Sequence, residues 1–149
     1  MGTNYKGTKK EIGALNTYIK LIRASDSVTS RINTSLSAVE LTESQFNVLD
    51  ALYHLGSLSQ RELGRKLLKS GGNITMVIDN LEKTGLVERR KVKEDRRQYR
   101  IYLTRKGKER IGKIIPQQVK LIVKEMKVLN EKEQIELQRL CKKIGLRKE

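Results

Sequence analysis

Histidine, cysteine and proline are almost absent from this chain: each occurs once, as His54, Cys141 and Pro116. A single cysteine closes no intramolecular disulfide, and no Cys/His group stands at metal-ligand spacing. There is no phosphate-cradling glycine loop and no nucleophile beside a base. Catalytic residues, metal ligands and cofactors are therefore not expected, and an enzyme is a distant reading. No apolar run approaches the roughly 20 residues that span a bilayer, so no membrane partner is expected. The N-terminal MGTNYKGTKK lacks the apolar core of a signal peptide. The chain reads as cytoplasmic, in a reducing compartment.

Acidic residues are also scarce, with 17 Asp and Glu against 32 Lys and Arg and a formal net charge of +15. Such an excess favours a polyanionic partner, because neutralised phosphates release their counterions. Charge alone does not choose among DNA, RNA and an anionic surface. Its distribution is more informative. Residues 1–40 carry +3, residues 41–104 carry +4 and residues 105–149 carry +8. Within the middle part, residues 86–100 hold seven basic and three acidic side chains. At 149 residues the chain is expected to be one domain with a real core.

What is present is mostly helical periodicity. Ile12, Leu15, Tyr18, Ile19 and Ile22, continued by Val28, Ile32, Leu36 and Val39, predict one long first helix or two stacked ones. Thr42 with Gln45, and Ser59 with Glu62, read as capping boxes that open two further helices. The first of these should bury Phe46, Leu49, Leu52 and Tyr53 and end at Gly56; the second should bury Leu63 and Leu67. Ser70-Gly71-Gly72-Asn73 reads as a turn and helix start. Ile74, Val77, Ile78 and Leu81 then mark one buried face, and Gly85 suits a helix C-terminus.

Residues 86–104, LVERRKVKEDRRQYRIYLT, change period. Tyr99, Ile101 and Leu103 alternate with Arg100, Tyr102 and Thr104, as a strand with two faces should. Two short runs flanking Lys93-Glu94-Asp95-Arg96-Arg97-Gln98 predict a β-ribbon with an arginine-bearing tip. Thr104 is expected to cap a helix running to about Leu129, with Pro116 inside it, and Asn130 with Glu133 to cap a last one. Three short helices followed by a ribbon make a helix-turn-helix with a wing.

The predicted architecture is thus mainly α with a small β-ribbon: a winged helix-turn-helix over residues 41–104, flanked by long dimerisation helices over 1–40 and 105–149. The flanking apolar stripes are too wide for the central unit, and a second copy of the chain is the economical cover. The recognition helix is expected over 72–84, with Asn73, Thr75, Met76 and Asn80 outward to meet base edges or phosphates. Gly71 and Gly72 let backbone amides approach a phosphate, and Ser70, just before them, is a further DNA-contact candidate. Ser59 and Gln60 are candidates for backbone contacts. Arg96 or Arg97 suits a narrow minor groove. Asp95 is expected to hold an arginine side chain in one rotamer. Tyr18, Arg23 and Tyr53 are candidates for an effector cavity.

These residues resemble the MarR-type winged-helix regulators. The resemblance covers about residues 41–107. It rests on Asp95-Arg96-Arg97 followed by Ile101-x-Leu103-Thr104 and Gly107, on the stretch Asn80 to Arg89, and on Leu41-Thr42-x-x-Gln45-Phe46 with Leu58-Ser59-x-x-Glu62-Leu63. It implies a homodimer joined through the terminal helices and binding to a pseudo-palindromic operator in double-stranded DNA, usually as a repressor. It also implies release by a small, often aromatic, anionic effector. The wing aspartate and second arginine of the family match Asp95 and Arg97. The alternative is a winged-helix module that docks on protein or RNA.

Overall fold

The computed structural model describes residues 1–67 and 71–146. The elements are α1 (Lys9–Ser37), α2 (Glu43–Leu55), β1 (Leu58–Ser59), α3 (Gln60–Lys66), α4 (Gly71–Lys83), β2 (Val87–Lys91), β3 (Tyr99–Leu103), α5 (Arg105–Met126) and α6 (Glu131–Gly145). The three strands form one antiparallel sheet in the order β1-β3-β2.

Local chemistry sets most boundaries. Capping boxes close the starts of α1 (Thr8 with Glu11), α2 (Thr42 with Gln45), α3 (Ser59 with Glu62) and α6 (Asn130 with Glu133). Glycines at positive φ follow two helices: Gly56 (φ 77°) after α2 and Gly85 (φ 74°) after α4. At Gly85 the closure is a Schellman motif, with Leu86 N donating to Leu81 O and Gly85 N to Glu82 O, both at 3.0 Å. Helix α5 stops at Met126, short of Leu129, because Leu129 N turns back onto Met126 O and Asn130 begins the next cap.

The core gathers one apolar face from each central element. Leu49, Leu63, Ile78, Leu81, Ile101 and Ile111 are fully buried. Tyr53, expected inside, is 41 % exposed, because it stands at the edge of the α2 stripe rather than its centre. Only the C-terminal end of the α1 stripe enters this core: Leu36 is the one fully buried residue of a single continuous helix, and Ile32 packs against the cluster. Helix α6 buries none. Helix α1 is tied to α5 by Arg31 on Glu125 at 2.6 Å and by Gln118 Nε2 donating to Ser35 Oγ at 3.0 Å. The guanidinium of Arg31 holds the Glu125 carboxyl below the usual carboxylate range. Among the described residues no helix is long and apolar enough to cross a membrane.

The ribbon is a three-stranded sheet, not the two-stranded one expected. Leu58 pairs with Ile101 and Ser59 with Arg100, so β3 carries β1 on its second edge. A two-residue strand has no periodicity of its own, and its pairing partner lies far along the chain.

Candidate nucleic-acid interface

Helix α4 buries Ile74, Ile78 and Leu81 and half-buries Val77, which turns Asn73, Met76 and Asn80 to solvent on one face. Their i, i+3, i+7 spacing makes a single exposed ridge, with Met76 between two asparagines. Thr75 lies to the side, half-buried. Its hydroxyl accepts from Gln60 Nε2 at 2.6 Å, so two residues expected to face a ligand separately are joined to each other. Gly72 stands in the first turn of α4, and Ser70 lies outside the described residues.

Ser59 caps α3. Its hydroxyl accepts from Glu62 N at 3.1 Å, and Glu62 accepts from Ser59 N at 2.7 Å. The Ser59 amide is the main reason that the Glu62 carboxyl sits below the usual range; burial opposes it, and the Ser59 hydroxyl and the nearby Arg100 and Arg65 charges assist. The amide N–H and the hydroxyl oxygen of Ser59 are thus engaged within the fold.

Strands β2 and β3 pair from Val87↔Leu103 to Lys91↔Tyr99, and residues 93–99 at the tip are exposed. The tip is a β-turn: Gln98 N donates to Asp95 O at 3.0 Å, placing Arg96 and Arg97 at its two central positions. Asp95 plays a different part from the one expected. Its carboxylate accepts from the backbone N of Arg97 at 3.0 Å, not from an arginine side chain. Aspartate at the first turn position folds the chain back on itself this way. It shapes the turn rather than one guanidinium.

The wing's basic residues divide into two groups, which residue type alone does not reveal. Arg89, whose side chain is 17 % exposed, pairs with Asp79 and Glu82 of α4. Arg100 donates to Ser57 Oγ and Ser57 O, each at 2.9 Å, and secures the strand that leads into α3. Arg90 lies 4.4 Å over the Tyr102 ring and pairs with Glu88 at 3.2 Å. The hydrogen bond from Arg90 to Glu88 raises the arginine's pKa further. Lys91, Lys93, Arg96 and Arg97 are exposed, and their side chains make no hydrogen bond or ion pair among the described residues.

A hydrogen-bonded junction fixes the wing's base to α5. Thr104 Oγ1 donates to Gly85 O at 2.6 Å and accepts from Gly107 N at 3.0 Å; Thr104 N donates to Leu86 O at 3.1 Å. One side chain thereby joins the end of α4, the return of the ribbon and the first turn of α5.

The effector candidates are dispersed. Tyr18 and Arg23 are exposed on α1. Tyr53 meets the His54 ring edge-on at 5.3 Å and lies against Gly112 of α5. None of the described contacts brings the three together. A groove of about 730 Å³ that sequence reasoning missed lies elsewhere, between the end of α1 and α5, with Val39, Arg110, Lys113 and Ile114 among its walls. No group of three His, Cys, Asp or Glu that could hold a metal ion is present among the described residues.

The sequence pattern of the MarR family matches residues 41–99, a stretch that contains α4 and the arginine-bearing tip of the ribbon. Over 133 residues the chain is 32 % identical to the HTH-type transcriptional regulator MhqR of Bacillus subtilis, covering 89 % of this chain and 92 % of MhqR. The chain belongs to the MarR family. It is a DNA-binding transcriptional regulator of winged-helix fold. Solved MarR-family structures superpose over nearly all of it. A mutant MarR from E. coli, complexed with operator DNA, is 27 % identical with a TM-score of 0.76 over 93 % of this chain and 99 % of that one. BpsR of Bordetella bronchiseptica, whose DNA binding is regulated by 6-hydroxynicotinic acid, shares the fold at 22 % identity, with a TM-score of 0.78 over 87 % and 98 % of the two chains.

Proposed function

We propose that the chain acts in the cytoplasm as a homodimeric repressor, with no catalytic role, that clasps a pseudo-palindromic operator. Residues 41–104 form the DNA-binding lobe, and residues 1–40 and 105–149 form the dimer arms. Helix α4 of each copy enters a major groove with Asn73, Met76 and Asn80 toward the bases. Ser59, Gln60, Ser70, Gly72 and Thr75 border the phosphates. The turn shaped by Asp95 sets Arg96 and Arg97 against the minor groove. The observation that carries this reading is the exposed Arg96–Arg97 turn, whose guanidinium groups lack partners among the described residues while Arg89, Arg90 and Arg100 are all engaged. Dimerisation is supported by apolar side chains that the single chain leaves in water: Ile122 and Val123 on α5, and Ile135, Leu140 and Ile144 on α6.

Release by a small aromatic or anionic effector is the regulatory part of the proposal, with Tyr18, Arg23 and Tyr53, which no described contact joins within one chain, as its candidate residues. BpsR supports it by responding to a molecule of that class. In the test, sedimentation velocity at micromolar concentration is combined with fluorescence anisotropy on a duplex from upstream of the chain's own gene, against RNA and unrelated duplex. A dimer that prefers the upstream duplex, with affinity falling steeply as salt rises, is expected. A compact monomer, or equal binding to RNA, contradicts the proposal.

A further inference from the structure

Arg89 stands where β2 passes the recognition helix, and its guanidinium is spread across three acceptors of that helix. Nη1 bonds the Asp79 carboxylate and lies 3.5 Å from Glu82 Oε1, and Nη2 donates to Thr75 O at 3.2 Å. The backbone of the same residue joins in, with Arg89 N donating to Glu82 Oε2 at 3.0 Å. Thr75 in turn accepts the Gln60 amide from α3. One arginine therefore links β2 to α4, and Thr75 extends the link to α3. The residues border an open cleft of about 520 Å³ between these elements, with Tyr99 on its wing side.

The acidic pair is the part that calls for explanation. Asp79 and Glu82 sit on the helix that reads a polyanion, and carboxylates there repel phosphate. They fit that position if their role is internal, to grip Arg89. We infer that Arg89 is a positioning residue: it touches no DNA, but with Asp79 and Glu82 it locks the recognition helix and the wing into one rigid reading head. The inference rests on the functional reading above, since it concerns how well two separate DNA-contacting elements are held in register. A planar, forked donor suits this task better than lysine, whose ammonium reaches fewer acceptors in fixed directions.

Electrostatics and positioning make opposite forecasts for one substitution. Asp79→Asn removes a negative charge from the DNA-facing lobe, which by charge alone tightens binding. Loss of the lock weakens it. Because the Asp79 side chain is 46 % exposed, the variant is expected to fold. Anisotropy titrations of the full-length protein on the upstream duplex, repeated across salt concentrations, decide between the two. Asp79→Asn is expected to bind about fivefold to twentyfold more weakly, within the range for directly coupled groups. Its salt slope should stay that of the parent, because every phosphate partner is retained. Arg89→Gln should bind more weakly still, Arg89→Lys should recover part of the loss, and the double Asp79→Asn/Arg89→Gln variant should be no worse than Arg89→Gln alone. If Asp79→Asn binds as tightly as the parent, or more tightly, Arg89 is not a positioning residue, whether or not Arg89→Gln folds. A parent protein that ignores the duplex overturns the functional reading and takes this inference with it.

Discussion

Gly107→Ala is expected to destabilise the protein by about 3 kcal/mol or more, at the upper end of what one added methyl does to a packed interior. A Cβ at this position meets Leu86 O at 2.0 Å, Leu86 C at 2.9 Å and Leu86 Cα at 3.2 Å. All three are backbone atoms, so no side chain can swing aside. Leu86 is itself 1 % exposed and accepts the Thr104 amide. To admit the methyl group, either the first turn of α5 lifts off or the Leu86 peptide moves. The first breaks the bond from Gly107 N to Thr104 Oγ1, and the second breaks the bond from Thr104 N to Leu86 O. Either way the wing loses its fixed angle to α5. Urea unfolding measures the cost as a drop in midpoint at constant slope. Gly112→Ala is the control. Its Cβ would meet the Tyr53 ring at 3.5 Å, an ordinary contact, and helix propensity favours alanine by up to about 1 kcal/mol. Equal midpoints for the parent and Gly107→Ala would show that the junction is not tight.

Arg97→Ala is expected to weaken operator binding by about 1–3 kcal/mol, and Arg96→Ala/Arg97→Ala by more, with the salt slope falling by about one for each phosphate left without its cation. The reason is the turn: both residues occupy its central positions, and neither side chain has another partner among the described residues. Asp95→Ala should weaken binding less, by loosening the turn that Asp95 shapes through the Arg97 amide. Arg90→Ala, which removes a residue stacked on Tyr102 and paired with Glu88, should leave affinity close to that of the parent. Anisotropy titrations across salt check all four variants. An Arg97→Ala protein that binds with parental affinity and slope would remove the wing from the interface.

The contrast between Arg97 and Arg90 also shows what could be read from the sequence and what could not. Helix starts were legible because a cap is local: Thr42 and Gln45, Ser59 and Glu62, and Asn130 and Glu133 carry their partners within three residues. Gly85 was legible for the same reason. Strand β1 was not, because two residues acquire their identity only by pairing with Arg100 and Ile101. The part taken by Asp95 was misjudged for a related cause, since side chain and backbone offer donors at equal sequence distance and only the fold of the turn selects the amide. The division of the wing arginines depends on partners elsewhere in the fold: α4 for Arg89, Ser57 for Arg100, and Glu88 with Tyr102 for Arg90. An observer of the sequence alone could have noted Asp79 and Glu82 at i, i+3 beside a following strand and asked which arginine they hold. The apolar stripes of α1, α5 and α6 were legible as wide, but whether such a face meets its own chain or a second copy is not encoded in its period.

The central claim is that paired copies read a two-fold symmetric duplex. Selection of bound fragments from a random duplex library by the full-length protein tests it most directly. The expected result is a pseudo-palindrome whose half-sites are centred about 10 base pairs apart, one turn of the double helix, and whose enrichment disappears in the Arg96→Ala/Arg97→Ala variant. A library that yields no enriched sequence, or only a single asymmetric half-site, would contradict it.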